Sequence, residues 1–243
     1  MKENSSIQKF LHITCISDMH GEYNRLNLPG GDLLICAGDS QLFLENCEQT
    51  LNDGLQFCEW LNKQQYTQKI FVAGNHDLVF EKYDQQIRSA LINYPSVKYL
   101  KNEYINIEIN GTQLQIFGSP LYVYRQTKKQ QFFISNEESR SNIVNNIPEN
   151  LDILITHGPL YGILDHNSKD ISCGCQILQQ AISKIKPKLH VFGHIHESQG
   201  IMMQNNTNFI NAAVMLVGEC CYYSTTLLHQ TTFKWYPQNN SIE

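Results

Sequence analysis

Metal-type side chains recur in this sequence directly after apolar runs. Ile13 to Ser17 leads into Asp18-Met19-His20, Leu33 to Ala37 into Gly38-Asp39, and Ile70 to Ala73 into Gly74-Asn75-His76-Asp77. Ile153 to Thr156 leads into His157-Gly158, and Val191-Phe192 into Gly193-His194-Ile195-His196. One such site carries little, because a single histidine after a strand is usually an ordinary loop residue. Five in succession carry more. Five of the nine histidines sit at these ends, with glycine beside each of the five sites to let the backbone turn sharply. His12, His166, His190 and His229 lie outside the pattern and receive no role.

The residue types fit a centre for two divalent ions. Such a centre needs a bridging carboxylate to hold the ions about 3.5–4 Å apart against their repulsion. Asp39 is the natural bridge. Asp18, His20 and His196 would then complete one shell, and Asn75, His157 and His194 the other. A water between the ions becomes a hydroxide nucleophile, and the residual positive charge suits a phosphate. Mixed imidazole and oxygen ligands favour manganese, iron, zinc, cobalt or nickel over calcium. His76 is left over beside Asn75, placed to protonate a leaving oxygen or to steady charge on a phosphoryl group. Asp77 either orients His76 and keeps it protonated or caps the following turn.

Strands must present these groups. Leu11 to Ser17, Leu33 to Ala37, Lys69 to Ala73, Leu151 to Thr156 and Leu189 to Phe192 read as buried strands. Their ends would lie along one carboxyl edge, where open α/β sheets place ligands. Helical stripes lie between them: Leu51, Leu55, Cys58 and Leu61, then Ile177 to Ile185 ahead of Pro187. Tyr104 to Ile109, Asn110-Gly111 and Gln113 to Phe117 spell a hairpin, and a further β-rich stretch runs from Phe209 to Trp235. The expectation is an α/β fold of two packed mixed β-sheets flanked by helices, with residues 1–243 as a single domain. Residues 125–146 are polar and read as a surface excursion, either a solvated loop or a partial lid.

Composition narrows the function. With 42% hydrophobic residues the chain can bury a full core, and 18 basic against 23 acidic residues give a net charge of −5. That balance argues against general nucleic-acid binding and against a polybasic membrane patch. No run reaches membrane-spanning length, and the apolar stretch Phe10 to Ile16 is too short for a signal peptide. The eight cysteines form no repeated CxxC pairs and read as reduced packing residues, including Cys173, Cys175 and the vicinal Cys220-Cys221. The expected location is the cytoplasm. Glycosylation-type triplets at Asn4, Asn110, Asn205 and Asn239 carry no weight in so Asn-rich a chain.

In this order the motifs resemble the calcineurin-like metallophosphoesterase superfamily: Asp-x-His, Gly-Asp, Gly-Asn-His-Asp, a lone His, then Gly-His-x-His, from Asp18 to His196. The resemblance implies a four-layer αββα sandwich, seven metal ligands at the positions above and His76 as the catalytic histidine. GDLLICAGD, GNHDLVF, FGSP, DILITHGPLYGILD and CQILQQAISKIKPKLHVFGHIHESQG are similar to the metallophosphoesterase-domain-containing branch. That branch is associated with hydrolysis of cyclic nucleotides and other phosphodiesters, and some of its members lack the last histidine. Here His196 is present. After FGSP the branch is usually tryptophan-rich, whereas this chain has Leu121-Tyr122-Val123-Tyr124-Arg125. Tyr122 and Tyr124 could stack on a base and Arg125 could bind phosphate, or all three could pack a loop.

The leading expectation is therefore a phosphodiesterase for small substrates, cyclic nucleotides foremost. A phosphomonoesterase or protein phosphatase shares the same metal motif. A scaffold that keeps the fold without catalysis is a third reading, disfavoured because every ligand and His76 survive.

Overall fold

A computed structural model describes residues 10–42, 48–123, 137–217, 223–227 and 231–243. Two six-stranded sheets dominate it, beside a two-stranded one of β11 (Met215–Val217) and β12 (Tyr223–Leu227). The first runs β14 (Ser241–Ile242), β13 (Thr231–Tyr236), β1 (Leu11–Ile16), β2 (Gly31–Cys36), β3 (Tyr66–Phe71) and β4 (Val97–Tyr99). From β1 to β4 the pairing is parallel, and β13 joins β1 antiparallel. The second runs β5 (Glu103–Ile109), β6 (Thr112–Ser119), β7 (Ile153–Thr156), β8 (Leu189–Phe192), β10 (Thr207–Asn211) and β9 (Gly200–Gln204). Here β6, β7, β8 and β10 are parallel, while β5 and β9 close antiparallel hairpins at the two edges.

The central strands are buried on both faces, which accounts for the near-continuous hydrophobic runs of β1, β2, β7 and β8. Between them lies a core of Ile13, Cys15, Ile35, Ile70, Ile116, Ile153, Val191, Ile210 and Trp235 among others. Outside the first sheet, Phe57, Cys58 and Leu61 of α1 (Leu51–Lys63) pack with residues of α2 (Leu78–Lys82) and α3 (Asp84–Leu91) onto Leu34, Phe71 and Tyr99. Outside the second, α4 (Glu137–Asn145) and α5 (Gln176–Ile185) cover Phe117, Leu154, Phe192 and Phe209. The layers are helix, sheet, sheet, helix, as the motifs imply.

The helix ends have local causes. Thr50 and Asp53 form a reciprocal capping box at the start of α1. Lys186 takes a left-handed conformation just before Pro187 and stops α5. The polar stretch expected as a surface excursion does hold a helix, α4, over its described part. Its charged sequence buries only Val144, so it carries almost no apolar stripe to read.

Candidate metal centre

Every strand-end motif reaches the same edge of the sandwich. The loops after β1 and β2 run side by side: Asp18 N donates to Gly38 O (2.9 Å), His20 N to Asp39 O (2.9 Å) and Gly21 N to Ser40 O (2.8 Å). The loop after β3 is tied in by His76 N donating to Asp39 Oδ1 at 2.7 Å. The loop after β8 is tied in by His194 N donating to Asp18 Oδ2 at 2.9 Å. Both carboxylates therefore give one oxygen to a neighbouring backbone and keep the other for the centre.

These turns cost backbone energy. Asp18, His20, Asp39 and His194 all have positive φ, at 56°, 46°, 52° and 71°. Each departs from the preferred region for an L-residue by roughly 1–2 kcal/mol. Such strain gathers where surrounding contacts over-determine a functional geometry. Glycines next to these residues allow the close approach. A Cβ on Gly74 would sit 2.2 Å from Asp39 Oδ1, and one on Gly193 would sit 2.1 Å from Asp18 Oδ2.

The ligand-type atoms then converge. Asp18, His20 and His196 offer atoms within 4.8 Å of one another, as do Asp39, His157 and His194, and also His20, Asp39 and His76. His196 Nε2 lies 3.0 Å from Asp18 Oδ1 and 3.3 Å from His20 Nε2. His157 Nδ1 faces the Ala37 carbonyl at 2.9 Å, which can only accept, so a proton sits there and Nε2 is the nitrogen turned to the centre. That Nε2 points at Asn75 Oδ1 (2.8 Å) and Asp39 Oδ2 (3.5 Å). Ligand-type atoms gathered this closely form a donor set that fits divalent metal ions.

Electrostatics agree with that fit. Burial pushes the Asp18 carboxyl up, but the hydrogen-bonded His196 outweighs it and holds the group below the usual carboxylate range. Asp39 is also buried, yet His157 and His76 hold its carboxyl well below that range. Burial lowers His20 and His194 to about 3, and lowers His76. Burial would lower His157 too, but the Asp39 charge beside it wins and raises it to about 9. Asp18 raises His196 in the same way. Ionised carboxylates and mostly neutral imidazoles are the forms that bind metal, and the two raised histidines mark where positive charge is wanted.

His76 stands at the rim, its side chain 20% exposed, with its ring packed edge-on to His20 at 5.1 Å. Asp77 is fully buried at the N-cap position of α2, yet its side chain does not cap that helix. Its Oδ1 accepts from Ser40 Oγ and Gln41 N, both at 2.9 Å, and its Oδ2 from Gly74 N at 2.8 Å. The carboxylate thus braces the Asp39 loop against the Asn75 loop. Burial and the nearby Asp39 charge raise it to about 7.

Tyr122 is buried, with its ring 5.4 Å from His194 and 5.9 Å from His157, so it walls the imidazoles. Tyr124 and Arg125 lie outside the described residues, as do Cys47, Cys220 and Cys221. Cys15, Cys36, Cys58, Cys173 and Cys175 are buried free thiols.

Two supporting residues escaped the sequence reading. Gln49 Nε2 donates to His76 O (2.6 Å) and Leu42 O (3.3 Å), while its Oε1 accepts from Val79 N (3.0 Å). Asn211, at the end of β10, donates to Ile195 O at 2.8 Å and so holds the residue between His194 and His196. A polar side chain closing the apolar run Phe209-Ile210 was the available signal for Asn211. Gln49 gave none, since nothing local sets it apart from its polar neighbours.

An αββα sandwich with an Asp/His centre at the strand ends defines a metal-dependent phosphoesterase architecture. Residues 11–198 match the family model for calcineurin-like phosphoesterases, and the chain belongs to that family. The family consists of metal-dependent phosphoric ester hydrolases that use a pair of divalent ions, and the Asp/His clusters described here could hold them. The chain is 35% identical over 230 residues to human metallophosphoesterase domain-containing protein 1, covering 86% of this chain and 67% of that protein. A UPF0046 protein of Caenorhabditis elegans is 31% identical over 215 residues, covering 84% and 70%. Among solved structures, TT1561 of Thermus thermophilus superposes with a TM-score of 0.66 at 11% identity, covering 97% and 98% of the two chains. The phosphopantetheinyl hydrolase of Mycobacterium tuberculosis gives 0.55 at 18% identity, covering 83% and 88%. Both share the fold. Among the described residues no helix is long and apolar enough to cross a membrane.

Proposed function

We propose that this chain hydrolyses small phosphodiesters, with cyclic nucleotides as the substrate class. Asp18, His20 and His196 would hold one ion and Asn75, His157 and His194 the other, with Asp39 as the carboxylate shared between them. The observation that carries this reading is the convergence of three Asp/His groups linked through His20 and Asp39, with His76 standing at the exposed rim. When bound, two divalent ions supply a nucleophile from water at neutral pH and neutralise phosphoryl charge; manganese is the ion to load first.

The chain's own residues do the rest. His76, held neutral by burial, offers an N–H to the departing oxygen and steadies the charge that builds there, the task a diester sets most sharply because an unstabilised alkoxide leaves poorly. Asp77 and Gln49 position that histidine's loop without meeting substrate. Tyr122 keeps water from the outer faces of His157 and His194. Among the described residues, the strongest charges acting on Asp18 and Asp39 come from histidines, with Asp39 also acting on Asp18, not from a guanidinium or ammonium. A dianionic monoester gains more from such cations than a monoanionic diester does. The buried free thiols suit a reducing compartment, and we place the chain in the cytoplasm.

The test compares manganese-loaded protein on bis(p-nitrophenyl) phosphate, p-nitrophenyl phosphate, and cyclic nucleotides with five- and six-membered phosphate rings. Diester turnover should exceed monoester turnover, and Asp39→Ala should abolish both. Faster monoester turnover would replace the diesterase reading with a monoesterase one.

A further inference from the structure

Strand β9 ends the second sheet and is the least defended edge of the two large sheets. Native edge strands are usually blunted by charge, proline, a bulge or shortness. The other edges follow that rule: β5 carries Glu103 and Glu108, β4 has three residues including Lys98, and β14 has two beside Glu243. Over five residues β9 reads Gly-Ile-Met-Met-Gln and pairs with β10 in unbroken register. No charged residue or proline occurs from 198 to 218, in a chain that is 17% charged. Ile201 is 51% exposed, Met202 38% and Met203 62%.

The hydrogen-bonding phase of this edge follows from its turn. Asn205 and Asn206 both have positive φ, 49° and 62°, which makes a two-residue turn of the I′ type. Gln204 and Thr207 therefore form the closing hydrogen-bonded pair, and the alternation makes Met202–Phe209 the next one. Ile201 and Met203 fall in the intervening non-bonded pairs, so their N–H and C=O groups point away from β10 to the open edge. That arrangement is symmetric about Met202.

We propose that β9 is a homodimer interface, pairing antiparallel with β9 of a second copy about a twofold axis at Met202. Ile201 of each copy then faces Met203 of the other, and each such pair exchanges both backbone hydrogen bonds. The sheets join into one continuous layer. Ile201 is aligned with Ile210 of the inter-sheet core, and Met202 with Phe209 of the helix-side core, so both apolar layers extend across the axis. The symmetry of this edge about Met202 selects a second copy, and its lack of charge permits one. Two chains of net charge −5 repel, and the uncharged stretch lets them meet without placing like charges opposite one another. The patch is small, so the dimer is concentration-dependent.

Sedimentation equilibrium of the full chain over a wide concentration range tests this. The mass should rise from 28.0 kDa toward twice that value as concentration increases. The exposed pair Ile201→Lys/Met203→Lys should stay at 28.0 kDa, with the melting temperature and the phosphoesterase rate per chain unchanged. Met202→Cys, a conservative change, should oxidise to a reducible dimer. Its Cα atoms would lie about 4.5 Å apart in the non-hydrogen-bonded pair, within disulfide reach. A wild-type mass of 28.0 kDa at every concentration overturns the proposal. So does a dimer that survives the lysine pair, or one in which Met202→Cys fails to cross-link.

Discussion

Replacing Gly74 with alanine isolates how tightly the candidate centre is built. Gly74 is absent from the glycines with positive φ, so alanine meets no backbone penalty there and the whole effect comes from one methyl group. Its Cβ would stand 2.2 Å from Asp39 Oδ1, 2.4 Å from Asp39 N and 2.7 Å from His157 Cε1. Asp39 cannot step aside, because Oδ1 accepts from His76 N and its carbonyl from His20 N. His157 is pinned by Ala37. The two loops must therefore spread, at an overpacking cost of about 1–3 kcal/mol. The same displacement moves the carboxylate and the imidazole off their common point, which for residues supporting a metal site typically costs about 10–100-fold in affinity. Gly162→Ala is the control: its φ is +82° but nothing lies within 4 Å, so it strains backbone alone. Titration calorimetry with manganese, a metal-free melt and diester turnover should show Gly74→Ala losing affinity, stability and rate. Gly162→Ala should lose a little stability only. Wild-type manganese affinity in Gly74→Ala would refute the reasoning that close approach to Asp39 demands glycine.

Three further outcomes follow from the hydrogen bonds and charges. Gln49→Leu leaves Val79 N and the His76 and Leu42 carbonyls without their partner, so stability should fall by about 1–3 kcal/mol and kcat should fall more than metal affinity, by calorimetry and steady-state kinetics. Asp77→Asn must turn its NH2 toward either Gln41 N or Gly74 N, and that donor conflict should destabilise the fold by about 1–3 kcal/mol in a denaturant melt. His190 is fully buried, hydrogen-bonded to Thr156 Oγ1 at 2.8 Å and lowered by burial to about 3. The unfolded chain therefore takes up a proton at this residue first, and stability drops by about 1.4 kcal/mol per pH unit from roughly pH 6.5 down toward the folded value. His190→Gln should flatten that part of the profile in pH-dependent denaturant melts.

The strands after which ligands fall were legible because each is buried on both faces and ends abruptly at a polar residue. Leu189 to Phe192 matches its strand at both ends. Asn110-Gly111 specified the β5–β6 turn because both residues must take positive φ, and they do, at 51° and 75°. Helix α1 was legible from Leu51 to Leu61, and α5 from its stripe ahead of Pro187. Helices α2 and α3 were not, since five and eight residues are too short for a periodic pattern to stand out. At the centre, residue type and strand-end position reveal which side chains can meet. They do not reveal where a second-layer partner comes from. Asp77 looked like a helper for its neighbour His76 or a helix cap, but its oxygens reach Ser40 and Gln41, 37 and 36 residues away in sequence. Contacts of that range are set by the packing of loops, which no local pattern encodes.

The most direct measurement is metal content per chain, by elemental analysis after exhaustive dialysis of manganese-loaded wild type and three variants. Two equivalents are expected for the wild type, close to none for Asp39→Ala, and about one each for His196→Ala and Asn75→Ala. One equivalent in the wild type, or two retained by Asp39→Ala, would contradict a centre of two ions sharing Asp39.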